Sequence, residues 1–281
     1  MRPGVREGVS PLLTLEDIWR RYDALESRLT APLSERMLDL AGLQRGMHVL
    51  DLATGRGEPA LRAASRVGSQ GSVLGVDLSG AMLRMAMETA DRDGLTNLEL
   101  REGNAESLDD IPRNHFHAAT VRWGLMYMEA PIAALATARR ALLPAGALVA
   151  ALWAEPERAS FFTMPRRLLE RYRSLPALDP EAPGMFRYAD LERVVRDFNR
   201  AGFTLDHVED MEVAVFEAET GGEVVAWVRA LGSGMGRLLN DLPENEQRAW
   251  EQDFTAEVVR TRTGGLIRLA GVTRVVRARP I

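Results

Sequence analysis

The chain contains no cysteine and no lysine: all 35 of its basic residues are arginine, set against 40 acidic ones. The first absence removes disulfides, thiolate nucleophiles and cysteine-bound metals. The second removes lysine chemistry, including Schiff bases. Histidine is scarce as well, with four residues, of which only His115 and His117 lie close together. Alternate strand positions put that pair on one face, which reads as structural, and no metal is expected. No apolar run approaches the roughly 18 residues that suggest a membrane span. The N-terminus has no apolar signal core, so a cytoplasmic protein is expected. The net charge is only -5, and the charges are spread along the chain instead of forming a basic run, which argues against nucleic acid as a partner.

What the sequence does have is alternation of strand and helix. Helical spacing over Leu15–Leu29 and Leu33–Leu43 is followed by apolar strands near 47–52, 72–77, 97–102, 116–123 and 146–153, with helices between them. That pattern predicts an α/β fold, a doubly wound and mostly parallel sheet covered on both faces. Residues 1–13 read as irregular. Beyond Trp153 a run of prolines, Pro156 to Pro183, marks a lid with a short helix near 164–173. A helix over 189–201 leads into a sixth strand near 204–216, and the last strand is expected over Leu266–Ala278. The intervening stretch, with helical patterns at Glu223–Leu231 and Glu244–Thr261, exceeds a hairpin loop and reads as a second cap. The expected units are a helical cap over 1–45, a core over 46–153, a lid over 154–188, a core helix and strand over 189–217, a cap over 218–262 and a final core strand over 263–281.

The segment from Met47 to Pro59 reads as a buried strand, a glycine turn and a helix start. Twenty residues past Gly57 the second strand ends on Asp77, where a carboxylate can accept both hydroxyls of a ribose. The dinucleotide spacing G-x-G-x-x-G is absent, and Glu58 would set a negative charge beside any diphosphate. A nicotinamide oxidoreductase is therefore disfavoured. S-adenosylmethionine, which has an adenosine, a ribose and an amino-acid tail but no phosphate, suits the loop better.

These residues resemble motif I of the class I S-adenosylmethionine-dependent methyltransferases, and the likeness to the UbiE-type small-molecule group runs over roughly residues 20 to 205. Val76-Asp77-Leu78-Ser79 with Ala81-Met82-Leu83 is similar to their second-strand motif, and Gly103-Asn104-Ala105-Glu106 to their adenine segment. Arg122 to Met128 occupies their site after strand four. Arg139 to Gly146 resembles their turn before strand five. The resemblance implies a seven-stranded sheet whose last strand returns antiparallel, and S-adenosylmethionine as cofactor. It implies cofactor contacts from Tyr22, Asp51, Ala53, Thr54, Gly55, Gly57, Asp77, Leu78, Met82, Asn104, Ala105, Glu106, Arg122 and Leu125. Two positions depart from the pattern: Ala53 stands for the first glycine of motif I, and Asn104 for an aspartate.

Ligands of open α/β sheets bind beyond the carboxyl ends of the strands. His48, His115, His117 and His207 lie at strand starts, so none is placed as a general base. Tyr127 after strand four is expected to orient an acceptor by donating a hydrogen bond, since its ordinary pKa is about 10. Glu155 after strand five is the candidate carboxylate, and Glu58 is read as tuning the cofactor's charged end. Met126, Tyr127, Trp153, Phe161, Phe162, Met185, Phe186, Tyr188 and Trp227 are the candidate lining for a flat or oily small molecule. The expected activity is methyl transfer to a small apolar or aromatic metabolite of secondary metabolism. Oxygen is favoured as acceptor by family frequency alone. The alternatives are C- or N-methylation of a natural product, or a cyclisation or isomerisation on the same fold.

Overall fold

The computed structural model describes residues 15–230 and 234–281, so the irregular segment expected over residues 1–13 lies outside it. The described residues open on one continuous helix, α1 (Leu15–Leu40), where two were expected. Between the two expected segments lies Pro32, inside the helix, which lacks an N–H and costs a helix interior about 3 kcal/mol. Leu33, Met37 and Leu40, just beyond that proline, are buried against Val149, Ala151, Val213 and Val275. Burial of three such side chains contributes about 1.5–3 kcal/mol each, enough to carry the helix through the proline.

The strand–helix alternation then follows as β1 (His48–Leu52), α2 (Ala60–Val67), β2 (Ser72–Asp77), α3 (Gly80–Arg92), β3 (Leu98–Glu102), β4 (Phe116–Arg122), α4 (Pro131–Ala141) and β5 (Leu142–Trp153). The lid supplies α5 (Ser160–Leu169), and α6 (Leu191–Arg200) leads into β6 (Phe203–Ala218). The second cap holds α7 (Gly221–Ala230), α8 (Gly234–Asn240) and α9 (Glu244–Val258). A two-residue strand, β7 (Arg262–Thr263), precedes the long β8 (Leu266–Pro280). The sheet order is β3-β2-β1-β4-β5-β8-β6, with β7 paired to β8. The first five strands are parallel, and β8 runs antiparallel between β5 and β6. Strands β1, β4 and β5 are apolar nearly throughout because helices cover both of their faces. Strand order reverses at β1 and β4, which opens a crevice at their carboxyl ends.

Three boundaries differ from the sequence reading for identifiable reasons. Strand β5 begins at Leu142, paired with Phe116, before a bulge resumes pairing at Ala147 with Ala118; the Pro144-Ala145-Gly146 turn is looped out of the strand and does not precede it. Helix α5 starts at Ser160, four residues early, because the Ser160 hydroxyl clamps β8: it donates to the Ala270 carbonyl at 2.9 Å and accepts from its N–H at 3.2 Å. Helix α8 went unread because Gly234 and Gly236 are poor helix formers, whereas Leu239 is fully buried in the main core.

Three of the four histidines gather at the amino ends of the strands. The His48 ring stacks on His115 at 4.7 Å and lies 5.5 Å from His117, whose Nδ1 accepts from the His48 backbone N–H. No metal-holding group of side chains is present among the described residues. Partial desolvation, and then the charges of His48 and His117, push the exposed His115 imidazole below its ordinary 6.5. A neutral histidine of this kind contributes stability that is intact above pH 6.5 and lost as pH falls toward the lowered native value. The thermal midpoint should accordingly fall more steeply between pH 7 and pH 5 in the wild type than in His115→Gln, measured by scanning calorimetry; parallel curves would contradict this.

Candidate functional site

The turn after β1 is shaped by a buried carboxylate beneath it. Asp51 is fully buried and accepts hydrogen bonds from the hydroxyls of Thr54 and Thr120, both at 2.5 Å. Burial pushes its carboxyl up to about 6 against the pull of those hydroxyls and of Arg122. Above it the backbone passes through left-handed conformations at Ala53, Gly55 and Gly57, with φ of 54°, 54° and 100°. Asp77 at the tip of β2 completes the turn: one carboxylate oxygen accepts the Gly55 N–H and the other the Ser79 N–H, each at 2.8 Å. A carboxylate offers about four acceptor sites, so two remain for a ligand's hydroxyls.

Two adjoining hollows open at this turn. An apolar lobe of about 400 Å³ is lined by Asp77, Leu78, Met82, Asn104, Ala105, Glu106, Tyr127, Met128 and Glu129. Leu78 is 69 % exposed, an apolar side chain left waiting for a flat partner. A polar lobe of about 510 Å³ is lined by Asp23, Glu26, Ser27 and Arg28 of α1 and by Thr54, Arg56, Glu58 and Arg62. Ala53, Gly55, Met82, Arg122 and Trp123 line both, so the two lobes meet at these residues. An apolar chamber with a ribose-gripping acid, joined to a chamber of mixed charge, fits an adenosine carrying an amino-acid tail. The acids Asp77, Glu106 and Glu58 do not suit a diphosphate.

Four residues expected at the cofactor lie elsewhere. Asp51 supports the turn from below. Gly57 is required by packing, since a Cβ there would strike the Leu61 side chain at 2.6 Å. Leu125 is buried in the core at 1 % exposure. Tyr22 packs edge-on against Phe216 at 5.5 Å, beside a separate hollow between α1 and α7. The others expected there, Ala53, Thr54, Gly55, Asp77, Leu78, Met82, Asn104, Ala105, Glu106 and Arg122, all line one lobe or both. Asn104 turns its side-chain oxygen back to the Glu106 N–H at 2.9 Å, and a Glu106 carboxylate oxygen accepts from the Ala130 N–H.

Among the catalytic candidates, Tyr127 stands half-exposed in the apolar lobe, and desolvation raises its phenol pKa, which keeps it protonated as a donor. Glu155 is a correction. Its carboxylate is paired with Arg274 at 3.1 Å and Arg158 at 3.2 Å, lines neither lobe, and is held below the ordinary carboxylate range by a backbone hydrogen bond and these arginines. Glu58 is likewise occupied, by Arg62 at 2.9 Å.

The expected substrate lining divides. Met126 and Tyr188 are fully buried, and the Tyr188 hydroxyl donates to Asp197 at 3.2 Å, so both are core residues. Trp227 stacks on Phe216 at 4.7 Å, and Trp153 is sandwiched between Trp123 and Phe161 at 4.5 and 4.9 Å. Those positions are filled by packing and do not face a ligand here. Phe162, Met185 and Phe186 instead line a lid hollow of about 460 Å³. It touches the apolar lobe's wall, because Arg187 donates to the Met128 carbonyl at 2.5 Å and the Gly184 N–H to the Met126 carbonyl at 2.9 Å. Sequence reasoning missed the charged face of α1, from Asp23 to Arg28. Its signal was charges on an amphipathic helix at positions that a surface helix would also carry.

The sequence model of the ubiE/COQ5 methyltransferase family matches residues 15–169. The ubiquinone/menaquinone biosynthesis C-methyltransferase UbiE of Serratia proteamaculans is 36 % identical over 120 residues, 42 % of this chain and 47 % of that protein, so the chain matches about half the length of such relatives. Among solved structures, a Bacillus halodurans C-125 protein aligns with a TM-score of 0.57 at 19 % identity, covering 88 % of this chain and 99 % of that one. The 4+2 cyclase SpnF aligns at 0.55 and 18 % identity, over 98 % of this chain and all of its own. At such identities the likeness establishes the fold, a Rossmann-like methyltransferase sheet with flanking helices.

Proposed function

Because the chain belongs to the ubiE/COQ5 methyltransferase family, we propose that it binds S-adenosylmethionine across the two joined lobes and methylates a small apolar or aromatic acceptor, on an acidic oxygen in preference to carbon or nitrogen. The observation that carries this reading is the junction at Ala53, Gly55, Met82, Arg122 and Trp123, where an apolar and a charged chamber meet beside Asp77. The cofactor supplies an electrophilic methyl group on a sulfonium. The chain supplies its placement: Asp77 accepts the ribose hydroxyls, Leu78 and Met82 cover the adenine, and the polar lobe takes the amino-acid tail. Alignment of reacting groups is worth roughly 7–11 kcal/mol in well-oriented systems, so positioning can carry much of the rate.

The preference for an acidic acceptor is supported by the lack of a histidine lining either lobe among the described residues, and by where the expected bases lie. The histidines of the 48/115/117 cluster sit at the opposite end of the strands, Glu155 is bound by two arginines, and Asp51 is sealed beneath the turn. A phenol or enol reaches its reactive anion with little help, and the protonated Tyr127 can hold it by donating one hydrogen bond. The relatives' name gives carbon as their acceptor atom. The family match, however, ends at residue 169, ahead of most of the lid and all of the second cap, so the acceptor is argued from this chain's own residues.

Incubation with donor carrying a 13C-methyl group and a panel of phenols and enols tests the proposal. Label on oxygen, read by NMR, is the expected result. Label on carbon would overturn the oxygen assignment, and product formed with the donor unconsumed would point to cyclisation or isomerisation. Tyr127→Phe should lower kcat by about three- to tenfold, the worth of one hydrogen bond, with donor affinity unchanged.

A further inference from the structure

The lid hollow of about 460 Å³ contains one cation that the fold leaves uncommitted. Two arginines line it, Arg166 and Arg187. Arg166 meets Glu170 at 3.2 Å and donates to the Pro176 carbonyl at 2.6 Å. Arg193 and Arg274, which hold the Pro180 and Ala189 carbonyls of the same segment, meet Glu181 at 3.0 Å and Glu155 at 3.1 Å. Arg187 has no carboxylate within ion-pair distance among the described residues: its Nη1 donates to the Met128 carbonyl, its Nε is buried without a hydrogen-bond partner, and its Nη2 makes no hydrogen bond to the described residues. An arginine does not lose its charge in a protein, and a buried donor left unpaired is costly, so the fork carries an unmet demand for an acceptor. Around it the hollow is mainly apolar, with Phe162 and Phe186 packed edge to face at 4.7 Å beside Met185 and the half-exposed Leu178. The third charged side chain there, Asp179, is exposed and accepts from the Glu181 N–H at 2.8 Å.

A hollow of this size holds a small molecule, and apolar walls with one free guanidinium match an apolar body that ends in a carboxylate, which the guanidinium takes through two parallel hydrogen bonds. We propose that the lid hollow binds the methyl acceptor as an aromatic or oily carboxylic acid, its carboxylate on Arg187 and its body against Phe162, Met185 and Phe186. The role of acceptor rests on the function proposed above; the acid site itself does not. Residues 126–128 connect the two. Arg187 and the Gly184 N–H hold the carbonyls of Met128 and Met126, on either side of Tyr127. The side chain that would read the acid thus also steadies the stretch carrying the phenol assigned to the acceptor.

Calorimetric titration of the full chain with 4-hydroxycinnamate and with octanoate, each against its primary amide, tests the assignment. In the wild type each acid should bind at least about tenfold more tightly than its amide, as expected for a charge-assisted pair. In Arg187→Met that gap should close to within about threefold, and Arg187→Lys should keep an intermediate one. Phe162→Ala should weaken acid and amide alike and leave their ratio unchanged. A wild type that binds neither acid at millimolar concentration or does not tell acid from amide, or an Arg187→Met protein that keeps the preference, would overturn the proposal. Should Arg187→Met fail to fold by circular dichroism, the wild-type and Arg187→Lys ratios decide. S-adenosylmethionine is titrated alongside: donor binding without acid preference removes this inference and leaves the functional reading standing, whereas acid preference without donor binding overturns that reading and keeps the acid site.

Discussion

Asp77→Ala is expected to raise the dissociation constant for S-adenosylmethionine by roughly two to four powers of ten. The carboxylate has two duties in the structure. Its oxygens hold the Gly55 and Ser79 N–H groups at 2.8 Å, which sets the turn, and its remaining acceptor sites face the apolar lobe where a ribose would lie. Hydrogen bonds to a charged group are worth about 1.5–3 kcal/mol each, so loss of two to the ribose alone accounts for about 3–6 kcal/mol. Release of the turn adds to that. Calorimetry on a variant whose circular dichroism matches the wild type measures the effect, and a change below about tenfold would remove Asp77 from the site.

The second large effect concerns Gly124. A Cβ built there would fall on the Ala53 Cβ, well inside contact distance, although Gly124 itself has ordinary helical φ and ψ of -96° and -42°. Alanine at 124 is thus forbidden by its neighbour and not by its own backbone. Gly124→Ala should weaken donor binding by about tenfold or more, because overpacking at about 1–3 kcal/mol would push the turn and Trp123 apart. Ala53→Gly should be tolerated, since it removes a side chain from a left-handed position that costs an L-residue about 1–2 kcal/mol. The Ala53→Gly/Gly124→Ala double variant should return to near wild-type affinity, a coupling that a double-mutant cycle reads directly. A double variant as impaired as Gly124→Ala would show that the defect does not come from the contact with Ala53.

That pair also marks where sequence reasoning ends. Ala53 was visible as a departure from the usual glycine, and Asp77, Leu78 and Met82 follow one another in a single short segment, because a turn and an acid at a strand tip are local requirements. Whether Ala53 could be accommodated depended on residue 124, far away in sequence. Which lid and second-cap side chains line a hollow was hidden for the same reason. An aromatic residue reads alike whether it lines a hollow or fills a core, and only long-range packing separated Phe162, Met185 and Phe186 from Tyr188, bonded to Asp197, or Trp227, stacked on Phe216. Glu155 had the right place after β5, but β8 brought Arg274 alongside it. The mostly parallel character of the sheet was legible because buried parallel strands announce themselves by apolar runs, whereas α1 was misread because the sheet that carries it past Pro32 is assembled from strands more than a hundred residues downstream.

Helix α1 is fastened by two kinds of force along its length. Its second half is packed into the sheet by Leu33, Met37 and Leu40, while its first half adds to the apolar contacts of Tyr22 and Leu25 a set of ion pairs, through Arg56 to Asp23 and Glu26 and through Arg20 to Glu88. Ionic strength acts on only one of these, because attraction between exposed charges fades over a screening distance of about 10 Å at 0.1 M salt. Added salt should therefore weaken the charged ties of the polar chamber's wall while leaving its apolar contacts in place.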